Sequence, residues 1–185
     1  MALDPESQNR AAELRPGTRV GAVVSLYHEE LTGAMAESAR RTLIEAGMDE
    51  SDYVVISAPG AFELPLLARR LARRGGVDAV LCFGLVLKGE TRHDEYVAGA
   101  AAQGLVQASL ETDVPILFGV LTCQTLEQAR ARALPAADGG RFDKGREVAR
   151  AAIHALGSLR EIDAMEAPYG GPRAARSPAA EGGPA

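Results

Sequence analysis

Six consecutive residues, Lys88-Gly89-Glu90-Thr91-Arg92-His93, bring together a flexible glycine, a hydroxyl, both signs of charge and an imidazole directly before a helical stretch. A helix N-terminus presents unpaired backbone N–H groups and the positive end of the helix dipole, which suits a phosphate. Thr91 and Asp94 have capping-box spacing, so a helix is expected to open there. His93 then falls in the first turn, where an imidazole can exchange protons near neutral pH with a bound molecule. The loop reads as a phosphate site with a proton-transfer group beside it. A plain helix cap carrying a surface histidine would be spelled the same way.

Three other short stretches share its character: Tyr27-His28, Ala58-Pro59-Gly60-Ala61-Phe62-Glu63 and Thr122-Cys123. With the first loop they collect two of the three histidines, one of the four tyrosines and one of the two lysines. Each follows an apolar run, and in parallel α/β sheets ligands bind at the carboxyl ends of the strands. His154, on an otherwise apolar helix face, and Tyr53, at a strand start, read as structural instead.

The elements that must position these residues alternate. Val20 to Leu26 is a continuous apolar run of the kind a buried parallel strand shows. Gly33 to Ala46 has helical spacing, with Ala36, Ala39, Leu43 and Ala46 on one side. Tyr53 to Ser57 is a second strand, and Phe62 to Arg74 a helix with Pro65 in its first turn. Ala79 to Leu87 is the third strand and Tyr96 to Leu110 the third helix. Pro115 to Leu121 is the fourth strand, and Thr125 with Gln128 is a second capping box, opening a helix to about Ala133. After a Gly- and Pro-bearing stretch, Leu134 to Gly140, a last helix spans Lys144 to Leu159. Strand–helix alternation implies a parallel sheet covered on both faces. Without a GxGxxG turn, the expected fold is α/β: a flavodoxin-like three-layer sandwich on a mainly parallel four-stranded sheet.

Composition narrows the function. The chain has 185 residues, room for one core, expected at 18–160 between a flexible arm (1–17) and a disordered Gly-, Pro- and Ala-rich tail (161–185). A net charge of −5 argues against a general nucleic-acid binder. The run Arg69-Arg70-x-x-Arg73-Arg74 lies opposite Leu64, Leu67 and Leu71 on its helix and reads as a solvated face. No apolar run is long enough to span a bilayer and the polar N-terminus does not resemble an export signal, so a cytoplasmic location is expected. Cys82 and Cys123, in apolar segments without CxxC spacing, read as buried thiols, with no disulfide or metal expected.

In order along the chain, Pro59-Gly60-Ala61-Phe62-Glu63-Leu64-Pro65, Lys88-Gly89-Glu90-Thr91-Arg92-His93, Pro115-Ile116-Leu117-Phe118-Gly119-Val120-Leu121-Thr122 and Glu127-Gln128-Ala129-x-x-Arg132 resemble the lumazine synthase family. The resemblance covers about Val20 to Leu159. It implies condensation of 5-amino-6-(D-ribitylamino)uracil with 3,4-dihydroxy-2-butanone 4-phosphate to 6,7-dimethyl-8-ribityllumazine, phosphate and water, without cofactor or metal. By the same resemblance, Tyr27 stacks on the pyrimidine ring, Ala61, Phe62 and Glu63 line the ribityl pocket, and Leu85, Val86 and Leu87 hold the ring edge. Glu90 and Thr91 cradle the phosphate through the loop backbone, Arg132 is its charged partner, and His93 moves protons. Phe118 and Arg132 are implied to come from a neighbouring subunit of a homo-oligomer.

The chain departs from the family pattern in four places. Leu26 stands where many relatives have Arg, His28 where many have Asn, and Asp94 where an aromatic is common, making the field at His93 more negative. The stretch from Leu134 to Asp143 is longer than the usual turn, which sits where pentamers meet in icosahedral shells, so a pentamer or a pair of pentamers is expected rather than a capsid. Two other classes share the fold. A non-catalytic flavin or lumazine binder would not need His93, Thr91 and Arg132 together. An FMN-carrying electron carrier would want a Ser/Thr-rich loop where Tyr27-His28-Glu29-Glu30 stands.

Overall fold

The computed structural model describes residues 13–165. Along the chain run β1 (Val20–Ser25), α1 (Glu29–Glu45), β2 (Tyr53–Ala58), α2 (Leu64–Arg74), β3 (Ala79–Leu87), α3 (His93–Thr112), β4 (Ile116–Cys123), α4 (Leu126–Ala133) and α5 (Lys144–Ala164). All strand pairs are parallel, in the order β2-β1-β3-β4. This is the flavodoxin-like arrangement expected from the alternation of elements.

Strand composition follows position in the sheet. β1 and β3 are central; β1 is buried throughout and β3 nearly so, so both are apolar without alternation. On one face Val20, Ala22, Val24, Leu81, Phe83 and Leu85 pack with residues of α1, α4 and α5. On the other, Val23, Val80, Cys82 and Val120 pack with Leu64, Ala68 and Ala72 of α2 and Leu105 of α3. The edge strand β2 is largely open, with Val55 and Ile56 exposed.

α1 begins earlier than its apolar spacing predicts, at Glu29 rather than Gly33, whereas α3 begins at His93, ahead of the apolar run from Tyr96 and with His93 in its first turn, as the loop before it suggests. Their first turns carry Glu29 and Glu30, and Asp94 and Glu95, which favour the positive helix end but add nothing to an apolar stripe. α5 continues to Ala164, beyond Leu159. Leu14, in the stretch read as a flexible arm, is buried, and its N–H donates to Ala46 O at 2.8 Å. The rest of that arm through residue 12, and the tail from 166, lie outside the described residues.

The second capping box forms with its return bond displaced by one residue. Thr125 Oγ1 accepts from Gln128 N at 3.2 Å, and Gln128 Oε1 accepts from Gln124 N at 2.9 Å. Thr125→Ala is expected to cost about 1 kcal/mol in a urea titration. An unchanged midpoint would mean that tertiary packing alone holds α4.

Tyr53 is structural: its hydroxyl donates to Ala36 O at 3.0 Å, and burial pushes its pKa up. Cys82 and Cys123 are free and buried, and burial raises both thiol pKa values. His154 corrects the sequence reading, because it is exposed on the outer side of α5. Arg69 and Arg73 of α2 lie 2.7 and 3.3 Å from Glu111 Oε2 on α3, as a charged outer face. Among the described residues no helix is long and apolar enough to cross a membrane, and no cluster of His, Cys, Asp and Glu could hold a metal ion.

Candidate active site

The sheet order reverses between β1 and β3, and a crevice opens outside the carboxyl ends of strands at such a point. An open cleft of about 730 Å3 lies there, lined by residues that follow β1, β2 and β3.

The first wall comes from the turn after β1. Ser25 is buried; its Oγ accepts from Tyr27 N at 3.2 Å, and its carbonyl accepts from Thr32 Oγ1 at 2.7 Å. His28 takes the left-handed conformation (φ 57°), and its carbonyl receives the N–H groups of Leu31 and Thr32. That conformation is open to few non-glycine residues, His and Asn among them. The turn leaves Tyr27 70% exposed, over the cleft. His28 lines the cleft and Leu26 does not.

The second wall is the loop from Ala58 into α2. Gly60 and Ala61 are buried, while Phe62 is exposed and Glu63 half-buried. A Cβ on Gly60 would meet Glu63 Oε2 at 3.2 Å and Tyr27 Cδ2 at 3.4 Å. The missing side chain therefore lets Tyr27 and Glu63 close over the loop. Pro65 in the first turn of α2 costs no helical hydrogen bond.

The third wall is Leu85, Val86 and Leu87 of β3 with the loop into α3. Lys88 N donates to Cys123 O at 2.9 Å, extending the β3–β4 pairing to the loop's start. Gly89, Thr91 and His93 reach the cleft, whereas exposed Glu90 does not line it. The capping box expected at Thr91 and Asp94 does not form. Arg92 is the capping residue, with no side-chain cap, and Thr91 Oγ1 instead accepts weakly from His93 N at 3.4 Å. Asp94 lines the cleft and pairs with Lys88, whose Nζ lies 3.3 Å from Asp94 Oδ2 and 3.6 Å from Glu95 Oε1. The negative charge expected beside His93 is thus paired.

Of the residues singled out in the sequence, the cleft brings together Tyr27, His28, Ala61, Phe62, Glu63, Leu85, Val86, Leu87, Thr91, His93 and Asp94. Phe118, on the edge strand β4, and Arg132, on α4, lie outside it, and both are exposed. Two further lining residues, Tyr96 and Val97, were not singled out. Their place in the first turn and a half of α3, beside His93, was the available signal.

Fold and cleft together define the class: a three-layer α/β sandwich with a small-molecule-sized cleft, of mixed apolar and polar lining, at its topological switch point. A family model described as 6,7-dimethyl-8-ribityllumazine synthase matches residues 17–160. The 6,7-dimethyl-8-ribityllumazine synthase of Thermus thermophilus is 44% identical over 149 residues, which are 80% of this chain and 90% of that protein. The protein of that name from Streptomyces coelicolor is 43% identical over 144 residues (78% and 86%). That from Salinibacter ruber is 44% identical over 137 residues (74% and 85%). The chain belongs to the 6,7-dimethyl-8-ribityllumazine synthase family.

Proposed function

We propose that this protein condenses 5-amino-6-(D-ribitylamino)uracil with 3,4-dihydroxy-2-butanone 4-phosphate, releasing 6,7-dimethyl-8-ribityllumazine, phosphate and water, as a transferase of riboflavin biosynthesis. The observation that carries the reading is the convergence of three loops, distant in sequence, on one switch-point cleft. Tyr27 stacks on the pyrimidine, Ala61, Phe62 and Glu63 receive the ribityl chain, and Leu85, Val86 and Leu87 hold the ring edge. Glu90 and Thr91 bind the phosphate through the backbone of their loop, and Arg132 supplies the charge. His93 donates and accepts protons.

These residue types suit the reaction. Imine formation, phosphate elimination, ring closure and dehydration are proton transfers on a substrate that already carries its leaving group. Positioning with one acid–base group suffices, and the reaction calls for no metal or organic cofactor.

Phe118 and Arg132 act in a neighbouring subunit's cleft, in a pentamer or a pair of pentamers. Their absence from the lining of their own cleft supports this, as does the outer face of α3, where Val106 and Leu110 are 57% and 81% exposed. Light scattering is expected to give a particle of that size; a megadalton shell would overturn it. The working compartment is the cytoplasm, a reading supported by two free, buried thiols. The catalytic domain is centred on 18–160, with Leu14 and the last turn of α5 packed or folded at its margins.

Lumazine formation followed by absorbance and fluorescence with both substrates tests the activity. His93→Ala is expected to slow turnover about a hundredfold, the lower range for a lost acid–base group. No product from folded, assembled wild type would overturn the assignment.

A further inference from the structure

The lengthened stretch after α4 is tied down at several points. The N–H groups of Arg141 and Phe142 both donate to Ala131 O, at 2.7 and 3.1 Å, folding the loop back onto the end of α4. Gly140 packs so closely on Leu134 that a Cβ would lie within 1.7 Å of the Leu134 carbonyl oxygen. Asp143, in the left-handed conformation (φ 48°), accepts from Ser38 Oγ of α1 at 2.6 Å and from Arg146 N of α5 at 3.1 Å.

This loop carries the Phe142 ring to Arg132. Arg132 Cζ lies over the ring, 5.2 Å from its centroid, and Arg141 Cζ lies 5.4 Å from the same centroid. Among the described residues Arg132 makes no ion pair and donates no hydrogen bond. Its neighbour Arg130 differs, binding Glu30 through two bonds of 3.0 and 3.1 Å. A carboxylate would occupy the guanidinium donors and cancel their charge. An aromatic face restrains the guanidinium and leaves its N–H groups free for an anion.

We propose that Phe142 is a positioning residue for Arg132, holding the guanidinium ready for the substrate phosphate without consuming its donors. The proposal rests on the reading of Arg132 as the phosphate's partner. It gives the lengthened loop a role in binding one substrate and none in binding the other.

The test is steady-state kinetics on the full-length assembled enzyme, with inorganic phosphate as inhibitor. Phe142→Leu is expected to raise KM for the butanone phosphate and Ki for phosphate about two- to fivefold, the value of one exposed cation–π contact. Its kcat and its KM for the pyrimidine should stay at wild-type values. Phe142→Tyr, which keeps the ring, should match wild type, and Phe142→Leu should add nothing in an Arg132→Ala background. Unchanged phosphate parameters in Phe142→Leu would overturn the proposal. So would equal losses for both substrates, or a further loss on top of Arg132→Ala. If Arg132→Ala weakens phosphate binding and Phe142→Leu does not, the positioning role alone fails. If Arg132→Ala itself leaves phosphate binding intact, the reading of Arg132 fails and takes the positioning role with it.

Discussion

Arg132→Ala is expected to lower kcat/KM for the butanone phosphate about a thousandfold while leaving the protein folded and assembled. The guanidinium is exposed and makes no ion pair among the described residues, so its removal strands no buried charge. Stability should therefore move by no more than about 1 kcal/mol, the value of the lost contact with Phe142. The loss falls on the substrate. Two charge-assisted hydrogen bonds at about 1.5–3 kcal/mol each amount to about 4 kcal/mol, which is about a thousandfold in rate. Arg132→Lys should recover only part of it, because an ammonium restores the charge without the planar fork. Steady-state kinetics decide the matter, and a change of less than tenfold would remove Arg132 from the site.

The largest stability effect is expected at Phe83. This side chain is fully buried in the middle of β3, on the face that packs against α1 and α5. Its register partner on β4 is Gly119, where a Cβ would lie 2.7 Å from Phe83 Cδ1. The ring therefore occupies its neighbour's side-chain space as well as its own. Phe83→Ala would leave a void that Gly119 cannot fill, at a cost of about 3–5 kcal/mol. A urea titration at fixed protein concentration, because assembly contributes to apparent stability, should show the midpoint falling at unchanged slope. A loss below about 1 kcal/mol would mean that the sheet closes over the vacancy.

The central strands were legible because a strand covered on both faces has to be continuously apolar, and Val20–Ser25 and Ala79–Leu87 are. Helix starts were less legible. Glu29 and Glu30 in α1, and Asp94 and Glu95 in α3, favour the helix through its dipole, and periodicity does not register that. The two candidate capping boxes had the same spacing, one ending in Gln128 and the other in the shorter Asp94, and different outcomes. Gln128 reaches back to the backbone at Gln124, whereas Asp94 pairs with Lys88 across the loop. Most of the cleft could be found from sequence because its residues sit directly after strands. The contact between Arg132 and Phe142 could not, since only the return of the loop to Ala131 O brings the two together.

Strand order also sets a schedule for synthesis. β1 lies between β2 and β3, and its pairing with β3 cannot be complete until roughly sixty residues more have been made. At about 5–20 residues per second, that is about 3–12 s on the ribosome. During that interval one edge of the most apolar stretch near the amino terminus has no partner. Neighbouring ribosomes on one message hold the same open edge in nascent chains close by, and unpaired edges of this kind join with one another. The part of the molecule that ends up deepest is therefore the part with most need of shelter while it is being made.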